Sequence, residues 1–258
     1  MSSPNGLGRI TVDRDGDVLI ITIDRPARRN AFDGALARQM EAAIDGFDAG
    51  DARVGIITAI GPTFSSGQDL KAAAVGDLGV TKRRGAFGVM GSPPTKPLIA
   101  ALEGDALGGG LELCLACDLI VASESVSMGL PEAARGLIAG GGGLFRLPKR
   151  IPFNVAMELV LTGESLPASE FHRLGLVNRL TKPGEALSEA LTLAKKITAC
   201  GPVSVAAAKQ IVHQSWTWED ERAWDNQSEY VQQVMKSVDL REGLQAFAEK
   251  RAPQWKGR

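Results

Sequence analysis

Residues 98–112, LIAALEGDALGGGLE, place a short apolar run, Leu98 to Leu102, shortly before the glycine run Gly108-Gly109-Gly110. An apolar run of this length with glycine after it predicts a buried strand. A glycine run that enters a helix leaves backbone N–H groups pointing outward, where the helix dipole adds partial positive charge. The stretch therefore predicts a strand followed by a helix whose N-terminus can hold a developing oxyanion, with Glu112 one turn inside that helix.

The flanking sequence continues this alternation of strands and helices. β-rich runs on either side of Asp15-Gly16 predict a hairpin, and Asp33 is expected to cap a helix that runs to about Phe47. Further buried strands are expected at 54–60 and 119–122. Beyond Arg150 the pattern becomes helical, with candidates at 154–161, 168–174, 185–199, 203–216, 219–237 and 241–250. The sequence therefore predicts an α/β fold with a helical C-terminal third.

Residues 71–95 lack a regular period, because six glycines and Pro93-Pro94 interrupt it. We expect this segment to be a mobile lid or a binding segment. The preceding loop, residues 63–70, is small and polar and is typical of a tight functional loop.

The composition excludes several classes of protein. Of the 258 residues, 44% are hydrophobic and 23% charged, which is close to the average for globular proteins, and no run of about 18 apolar residues occurs. The formal net charge of −1 gives no general attraction for nucleic acid or for anionic lipid. We therefore expect no nucleic-acid partner and no membrane association.

The termini and cysteines indicate a cytoplasmic protein. The N-terminal residues lack the basic and apolar regions of a secretion signal. The three cysteines make an odd count, which fits a reducing compartment better than a disulfide framework. Cys114 and Cys117 form a C-x-x-C pattern, but no second pair accompanies it. We expect these two residues to pack in a buried helix rather than to serve redox or metal chemistry.

Two glutamates carry the strongest chemical signal. Glu112 follows the glycine run, and Glu132 follows Pro131 after the strand-like residues 126–130. Either one alone would be read as a charge that favours the start of a helix. Two carboxyl groups that the fold brings together beside an oxyanion site would form an acid/base pair.

Several motifs in order along the chain resemble the enoyl-CoA hydratase/isomerase family, also called the crotonase family. They are RPARRNA at 25–31, FSSGQDL at 64–70, GGGLE at 108–112 with Cys117-Asp118, LPE at 130–132, the glycine run before LFRLP at 144–148, GLVN at 175–178 and FAEKR at 247–251. The resemblance covers nearly the whole chain.

The resemblance implies a crotonase-like superhelix of repeated strand-strand-helix turns over residues 1–198. It implies a C-terminal helical region at 199–258 through which chains form a homotrimer or a dimer of trimers. It also implies an acyl-CoA thioester substrate, with no cofactor besides the CoA that belongs to the substrate, and no metal.

The resemblance also assigns roles to residues. Glu112 and Glu132 occupy the two catalytic glutamate positions, and the backbone N–H groups of Gln68 and Gly109 form the oxyanion hole. CoA contacts are expected at Arg25, Arg28, Ser66, Asp69, Leu70 and Lys250, with Lys250 reaching CoA on a neighbouring subunit. Gln68 is bulkier than the small residue that many hydratases have at this position, so its side chain could narrow the acyl pocket.

The activity implied is that of an enoyl-CoA hydratase, which adds water across the C2=C3 double bond of an enoyl-CoA. A related hydratase or dehydratase of a functionalised acyl-CoA, such as a carnitinyl-CoA dehydratase, is an alternative, because residues 67–74 resemble that branch. Double-bond isomerisation ranks lower, since one glutamate suffices for it. A non-catalytic acyl-CoA-binding protein is the third alternative, and the two intact glutamates count against it.

Overall fold

The computed structural model describes residues 8–258, which form twelve strands and ten α-helices. Residues 1–7, on which the prediction of no secretion signal depends, lie outside the described residues. The strands are β1 Arg9–Asp15, β2 Val18–Asp24, β3 Val54–Ala59, β4 Thr63–Ser65, β5 Val80–Thr81, β6 Gly85–Ala86, β7 Leu98–Leu102, β8 Asp105–Leu107, β9 Leu119–Ser123, β10 Ser127–Gly129, β11 Ser165–Pro167 and β12 Arg179–Thr181.

The helices confirm the helical C-terminal third. They are α1 Gly34–Ala49, α2 Leu70–Ala73, α3 Gly109–Ala116, α4 Gly143–Arg146, α5 Phe153–Thr162, α6 Ala168–Arg173, α7 Ala186–Thr198, α8 Pro202–Ser215, α9 Asp220–Lys236 and α10 Val238–Glu249. Each of the six helices expected after Arg150 is present, with ends shifted by at most three residues. Within residues 8–258, no helix combines the length and hydropathy that a transmembrane span requires.

Most strands belong to two sheets, and β5 and β6 form a separate two-stranded sheet. The larger sheet has the order β1-β2-β3-β7-β9-β12 and is parallel apart from the β1-β2 hairpin. The smaller sheet has the order β11-β10-β8-β4. The pairs β3-β4, β7-β8 and β9-β10 each contribute one strand to each sheet, so the chain advances by one strand-strand turn at a time. This is the repeated α/β architecture that the sequence predicts.

The local signals explain the elements near the N-terminus. The hairpin turn lies at Gly16-Asp17, one residue later than expected, and Gly16 supplies the positive φ of 58°. The side chain of Asp33 accepts a hydrogen bond from Leu36 N at 2.9 Å and caps α1 as expected.

The inner strands β3, β7 and β9 of the larger sheet are buried on both faces, which explains why they are almost wholly apolar. One face joins the main core with α1, α3 and the smaller sheet. The other face packs against α7, through alanines spaced four residues apart at Ala186, Ala190 and Ala194. Small residues at this spacing let the helix lie close to the strands.

Part of the 71–95 segment is packed against the core, whereas residues 74–78 are exposed, so the expectation of a mobile lid or a binding segment stays a prediction. Phe87, Val89 and Met90 are almost fully buried, and the Phe32 and Phe87 rings stack with centroids 4.2 Å apart. The glycines that interrupt the sequence pattern supply turns and close approaches in a compact segment. For example, Gly76, Gly85 and Gly88 have positive φ, a backbone conformation that glycine adopts without steric cost.

A polar cluster attaches the C-terminal helices to the larger sheet. Lys209 on α8 donates hydrogen bonds to Pro94 O, Lys96 O and Asp118 Oδ2, each at 2.8 Å. His213, one turn further along α8, lies 2.7 Å from the other oxygen of Asp118. Leu98 N also donates to Asp118, so one carboxylate joins the starts of β7 and β9 to α8. The expected boundary between the core, residues 1–198, and the C-terminal helical region, residues 199–258, coincides with the end of α7 at Thr198. α8 begins at Pro202.

We predict that Lys209→Met destabilises the protein. The Lys209 side chain is 9% exposed, and its removal leaves Asp118 and two carbonyl oxygens without their shared donor. Removing one partner of a buried ion pair costs about 3 kcal/mol or more. Urea denaturation of Lys209→Met, with Lys196→Met on the exposed face of α7 as control, measures the loss. Equal free energies of unfolding for the two variants would contradict the proposed anchoring role.

Candidate functional site

Glu112 lies in the first turn of α3, a helix that is buried along its whole length. Gly108 precedes the helix with φ of 56° and donates its N–H to Gly129 O at 2.9 Å, which ties the start of α3 to β10. The Glu112 residue is 4% exposed, and its Oε1 accepts a hydrogen bond from Gly143 N at 2.8 Å. A carboxyl group is therefore held inside the protein by a backbone donor.

Glu132 approaches the same helix end from the smaller sheet. It follows β10 and begins a short 3₁₀ turn at 133–135. A Cβ added to Gly108 would lie 3.0 Å from Glu132 Oε1, so this carboxyl group lies against the backbone that begins α3. Its other oxygen, Oε2, is buried and has no hydrogen-bond partner among residues 8–258. A buried polar atom without a partner is uncommon and indicates a place for a ligand or water.

Both carboxyl groups have perturbed acidity. Burial raises the pKa of Glu112 above its ordinary value, although amides of the 141–143 loop and the charge of Arg146 oppose this effect. Burial also raises the pKa of Glu132, and the negative charge of Glu112 raises it further. The charge of Glu112 therefore disfavours ionisation of Glu132, and the two groups interact electrostatically.

The backbone N–H group of Gln68 is free to bind a ligand. Phe32 N donates to Gly67 O at 2.8 Å, and Asp69 N donates to Phe32 O at 2.8 Å, so Gln68 stands between these two bonds in a parallel bridge. In such a bridge the N–H of the central residue points away from the partner strand. Among residues 8–258, no group accepts a hydrogen bond from Gln68 N.

The Gly109 amide lies beside it. Gly109 is the first residue of α3, so its N–H has no acceptor within the helix. A Cβ added to Gly67 would lie 2.8 Å from Gly109 N, and Gly67 is joined directly to the Gln68 amide. The backbone of the 67–68 loop therefore lies close to the first residue of α3, where both segments have glycine.

The Gln68 side chain connects this loop to the 71–95 segment. Its Oε1 accepts from Gly79 N at 2.9 Å, and its Nε2 donates to Asp69 O at 3.2 Å. The Phe87 ring, on the same segment, lies so close to Gly109 that a Cβ there would be 2.6 Å from it. The side-chain amide of Gln68 is thus hydrogen-bonded to backbone groups.

An apolar pocket of about 190 Å³ opens beside Glu132. Its walls come from Leu130, the loop at 137–139, Leu144, and Val160 with Leu161 on α5. Sequence reasoning missed these wall residues, because their side chains do not differ from ordinary core positions in the sequence. It also missed the Gly143 amide as the donor to Glu112, although the run at 140–143 was the available signal.

The residues expected to contact CoA are divided by the structure. Arg25 is an internal brace: it lies 2.8 Å from Asp33 and 2.9 Å from Asp69 in two largely buried ion pairs. Asp69 also caps α2 by accepting from Lys71 N and Ala72 N. With these partners, Arg25 and Asp69 hold the loop that carries Gln68, and a direct CoA contact from either stays a prediction.

The remaining expected contacts lie nearer the surface. Arg28 is exposed, and Leu70 is 51% exposed. Ser66 is half-buried, and its N–H donates to Arg29 O, which joins the segment of Arg28 to the loop that carries Gln68. Lys250 directly follows α10, in a left-handed conformation, and is exposed. The structure describes no contact between Lys250 and the site of its own chain.

The cysteine pair has the structural role that the sequence predicts. Cys114 and Cys117 are fully buried as free thiols, and burial raises the pKa of Cys117 to about 12. Thiols of this kind are unreactive. Residues 8–258 contain no cluster of three or more histidine, cysteine or acidic side chains suited to a metal ion.

Comparison with known proteins gives consistent matches over the whole chain. A family model described as enoyl-CoA hydratase/isomerase matches residues 13–258. An enoyl-CoA hydratase of Mycobacterium tuberculosis is 38% identical over 265 residues, covering 100% of this chain and 98% of the relative. A carnitinyl-CoA dehydratase of Salmonella typhi is 41% identical over 256 residues, covering 95% and 97%.

Solved structures agree with the fold. The crystal structure of an enoyl-CoA hydratase from Mycobacterium tuberculosis has a TM-score of 0.95 at 49% identity, covering 97% of this chain and 99% of that one. A carnitinyl-CoA hydratase from Mycobacterium avium has a TM-score of 0.77 at 42% identity, covering 96% and 98%. The crotonase fold and the order of the sequence motifs therefore agree, and the chain belongs to the enoyl-CoA hydratase/isomerase family.

Proposed function

We propose that the protein is an enoyl-CoA hydratase that adds water across the C2=C3 double bond of an enoyl-CoA thioester. One observation carries the proposal. Two carboxyl groups with raised pKa values and two unbonded backbone amides converge on the residues that begin α3. The family relatives named as hydratases support the same reaction.

The proposed oxyanion hole consists of Gln68 N and Gly109 N. Attack of water at C3 moves negative charge onto the thioester oxygen, so the transition state resembles an enolate. Two donors that are fixed by backbone packing stabilise this charge without reorganising during the reaction. The helix dipole of α3 adds positive potential on the same side.

The proposed acid/base pair is Glu112 and Glu132. One carboxylate orients and deprotonates the attacking water, and the other carboxyl group, protonated, delivers a proton to C2. The unpartnered Oε2 of Glu132 suits the water, and the Gly143 donor keeps Glu112 oriented. We assign the two roles to the pair jointly, since the groups titrate together.

The proposed substrate path follows from charge and apolarity. The acyl chain enters the apolar pocket beside Glu132, and CoA crosses the edge formed by Arg28, Ser66 and Leu70. CoA is part of the substrate, and we propose no separate cofactor. A cytoplasmic location stays a prediction.

We predict that Glu112→Gln and Glu132→Gln each lower the rate of crotonyl-CoA hydration at least 100-fold, since general acid–base groups contribute about 10²–10⁴-fold. Loss of the conjugated-enoyl absorbance measures the rate. Glu158→Gln, an exposed glutamate on α5, is the matched control. Because burial raises the pKa of Glu112, keeping this carboxylate ionised at neutral pH lowers the stability of the folded protein. The melting temperature of Glu112→Gln is therefore expected to equal or exceed that of the unchanged protein. Retained hydration in both site variants would exclude the pair as acid and base.

We predict that Gly67→Ala lowers kcat roughly 10²–10³-fold, the usual cost of losing one oxyanion donor. The added methyl group would lie 2.8 Å from Gly109 N, where the thioester oxygen must approach. Because Gly67 has φ of 92°, alanine there also strains the backbone, so Gly175→Ala is the control: Gly175 has φ of 87°, and a Cβ there meets nothing within 4 Å. Far-UV circular dichroism and binding of a saturated acyl-CoA separate a blocked donor from a misfolded loop. Unchanged kcat in folded Gly67→Ala would exclude Gly109 N as a donor.

A functionalised acyl-CoA is the second candidate substrate. The identity of 41% to the Salmonella typhi carnitinyl-CoA dehydratase favours it. Comparing kcat/KM for crotonyl-CoA, longer and branched enoyl-CoAs and carnitinyl-CoA separates the two. Binding of all of these without turnover would instead support a non-catalytic acyl-CoA-binding protein, and conversion between double-bond isomers would support an isomerase.

We also propose that the chain assembles as a homotrimer or a dimer of trimers through α9 and α10. None of the seventeen residues of α9, all of which the structure describes, is buried. Trp224, Val231 and Met235 form one stripe of α9 and are 78%, 44% and 64% exposed. On α10, Phe247 is 87% exposed. An apolar stripe of this kind marks an interaction surface.

We predict that Trp224→Lys with Met235→Lys reduces the mass of the assembly. Charges on the stripe would be buried without partners if the stripe is an interface. Light scattering after size-exclusion chromatography measures the mass. Asn226→Lys, exposed on another face of α9, should leave it unchanged. If the unchanged protein is a monomer, the assembly proposal fails.

A further inference from the structure

A larger pocket, of about 300 Å³, lies at the other end of α3 from the glutamates. It is bounded by Leu115 and Ala116 at the end of α3, by residues 145–150, and by α8. An eight-residue helix spans about 12 Å, so this pocket is separated from Gly109 by the length of α3. Neither Glu112 nor Glu132 lines it.

The pocket walls are strongly basic. The lining side chains that can carry positive charge are Arg146, Lys149, Arg150, Lys209 and His213. No aspartate or glutamate is among the lining residues. In a chain with net charge −1, this is a local excess that the overall composition does not explain.

Nearby carboxylates neutralise only part of this charge. Asp118 pairs with Lys209 and His213 and accepts a further bond from Leu98 N, so both its oxygens are occupied. Arg146, Lys149 and Arg150 form no ion pair within residues 8–258.

The two arginines are bonded only to neutral groups. Arg146 donates to Gly141 O and Met90 O, and Arg150 donates to Cys117 O. Burial lowers the pKa of Arg146, and the charge of Arg150 lowers it further, so the two guanidinium groups repel each other. Glu112 offsets some of the Arg146 charge from the opposite side.

Two other partly buried arginines, Arg25 and Arg84, do form ion pairs with carboxylates. Arg25 contacts Asp33 and Asp69, and Arg84 contacts Asp45 and Asp48. These arginines each have two carboxylates, as buried or half-buried cations usually require. Arg146 and Arg150 share a pocket without an ion-paired carboxylate, and the charges of Glu112 and Asp118 act on them only without direct contact.

Flat apolar groups complete the walls. Pro93, Pro94, Phe145 and Trp216 line the pocket, and Lys149 Nζ lies 5.9 Å from the centroid of the Trp216 ring. Guanidinium groups bind oxoanions through paired N–H donors, while the apolar surfaces can take a carbon portion of a ligand.

We propose that this pocket binds a free oxoanion of the phosphate class, with Arg146, Lys149 and Arg150 as its charged ligands. The anion supplies the negative charge that the three side chains lack. This site is separate from the proposed hydration site and does not depend on that activity.

Isothermal titration of the full chain in its native assembly with pyrophosphate, in a chloride buffer, tests the proposal. We expect one saturable site per chain, and a change in tryptophan fluorescence that Trp216→Phe removes while binding persists. Lys149→Glu reverses an exposed charge at the pocket and should weaken binding at least tenfold. Lys196→Glu makes the same charge change on α7 and should leave binding unaltered.

Three results would overturn the proposal. They are absence of binding to the unchanged protein, equal binding by folded Lys149→Glu, and loss of binding in Arg28→Gln instead, which would locate the anion at the proposed CoA edge. A fourth contrary result is a change in assembly mass in Lys149→Glu without any pyrophosphate binding. That outcome would identify the pocket as a contact between copies of the chain.

Discussion

The hydrogen bond from Gly143 N to Glu112 Oε1, 2.8 Å long and buried, is the interaction on which the geometry of the site depends. A carboxyl group inside a protein requires a donor, because burial removes its hydration. The donor must come from backbone that approaches closely, and a Cβ at Gly143 or Gly141 would lie 3.1 Å or 2.8 Å from the Glu112 carboxyl oxygens. The glycine run at 140–143 is therefore part of the site, since larger residues would occupy the space of the carboxyl group.

The same close approach determines the other half of the site. α3 begins where Gly67 and the pair Gly108-Gly109 bring two backbone segments together, so that amides rather than side chains line the space. Backbone amides held by packing are rigid donors. The cost is a buried helix with a carboxyl group of raised pKa, an arrangement that favours chemistry over stability. Burial of Glu112 and freedom of the amides are thus two consequences of one packing arrangement.

α3 also separates two regions of opposite character. At its N-terminal end, the carboxyl groups of Glu112 and Glu132 lie near the C-terminal ends of β8 and β10. At its other end lie the basic pocket and Asp118, which anchors α8 near the starts of β7 and β9. Arg146 contacts both regions, because it bonds to Gly141 O in the loop beside Glu112 and also lines the pocket. A charge bound at one end of α3 is therefore connected to the loop that holds the carboxyl group at the other.

Local sequence determined the longer strands, the longer helices and the buried cysteine pair, because hydrophobic period, capping residues and glycine act over a few neighbouring residues. It did not predict the short strands β4, β5, β6, β8, β11 and β12. It also singled out Glu112 and Glu132, through motifs that resemble a known family. Only the tertiary structure decided that Phe87, Val89 and Met90 pack into the core, that Arg25 and Asp69 pair with each other, and that the Gln68 side chain bonds to Gly79. These contacts join residues that are distant along the chain or that have several possible partners. A one-dimensional pattern contains no information about which of those partners the packed chain brings within hydrogen-bonding distance.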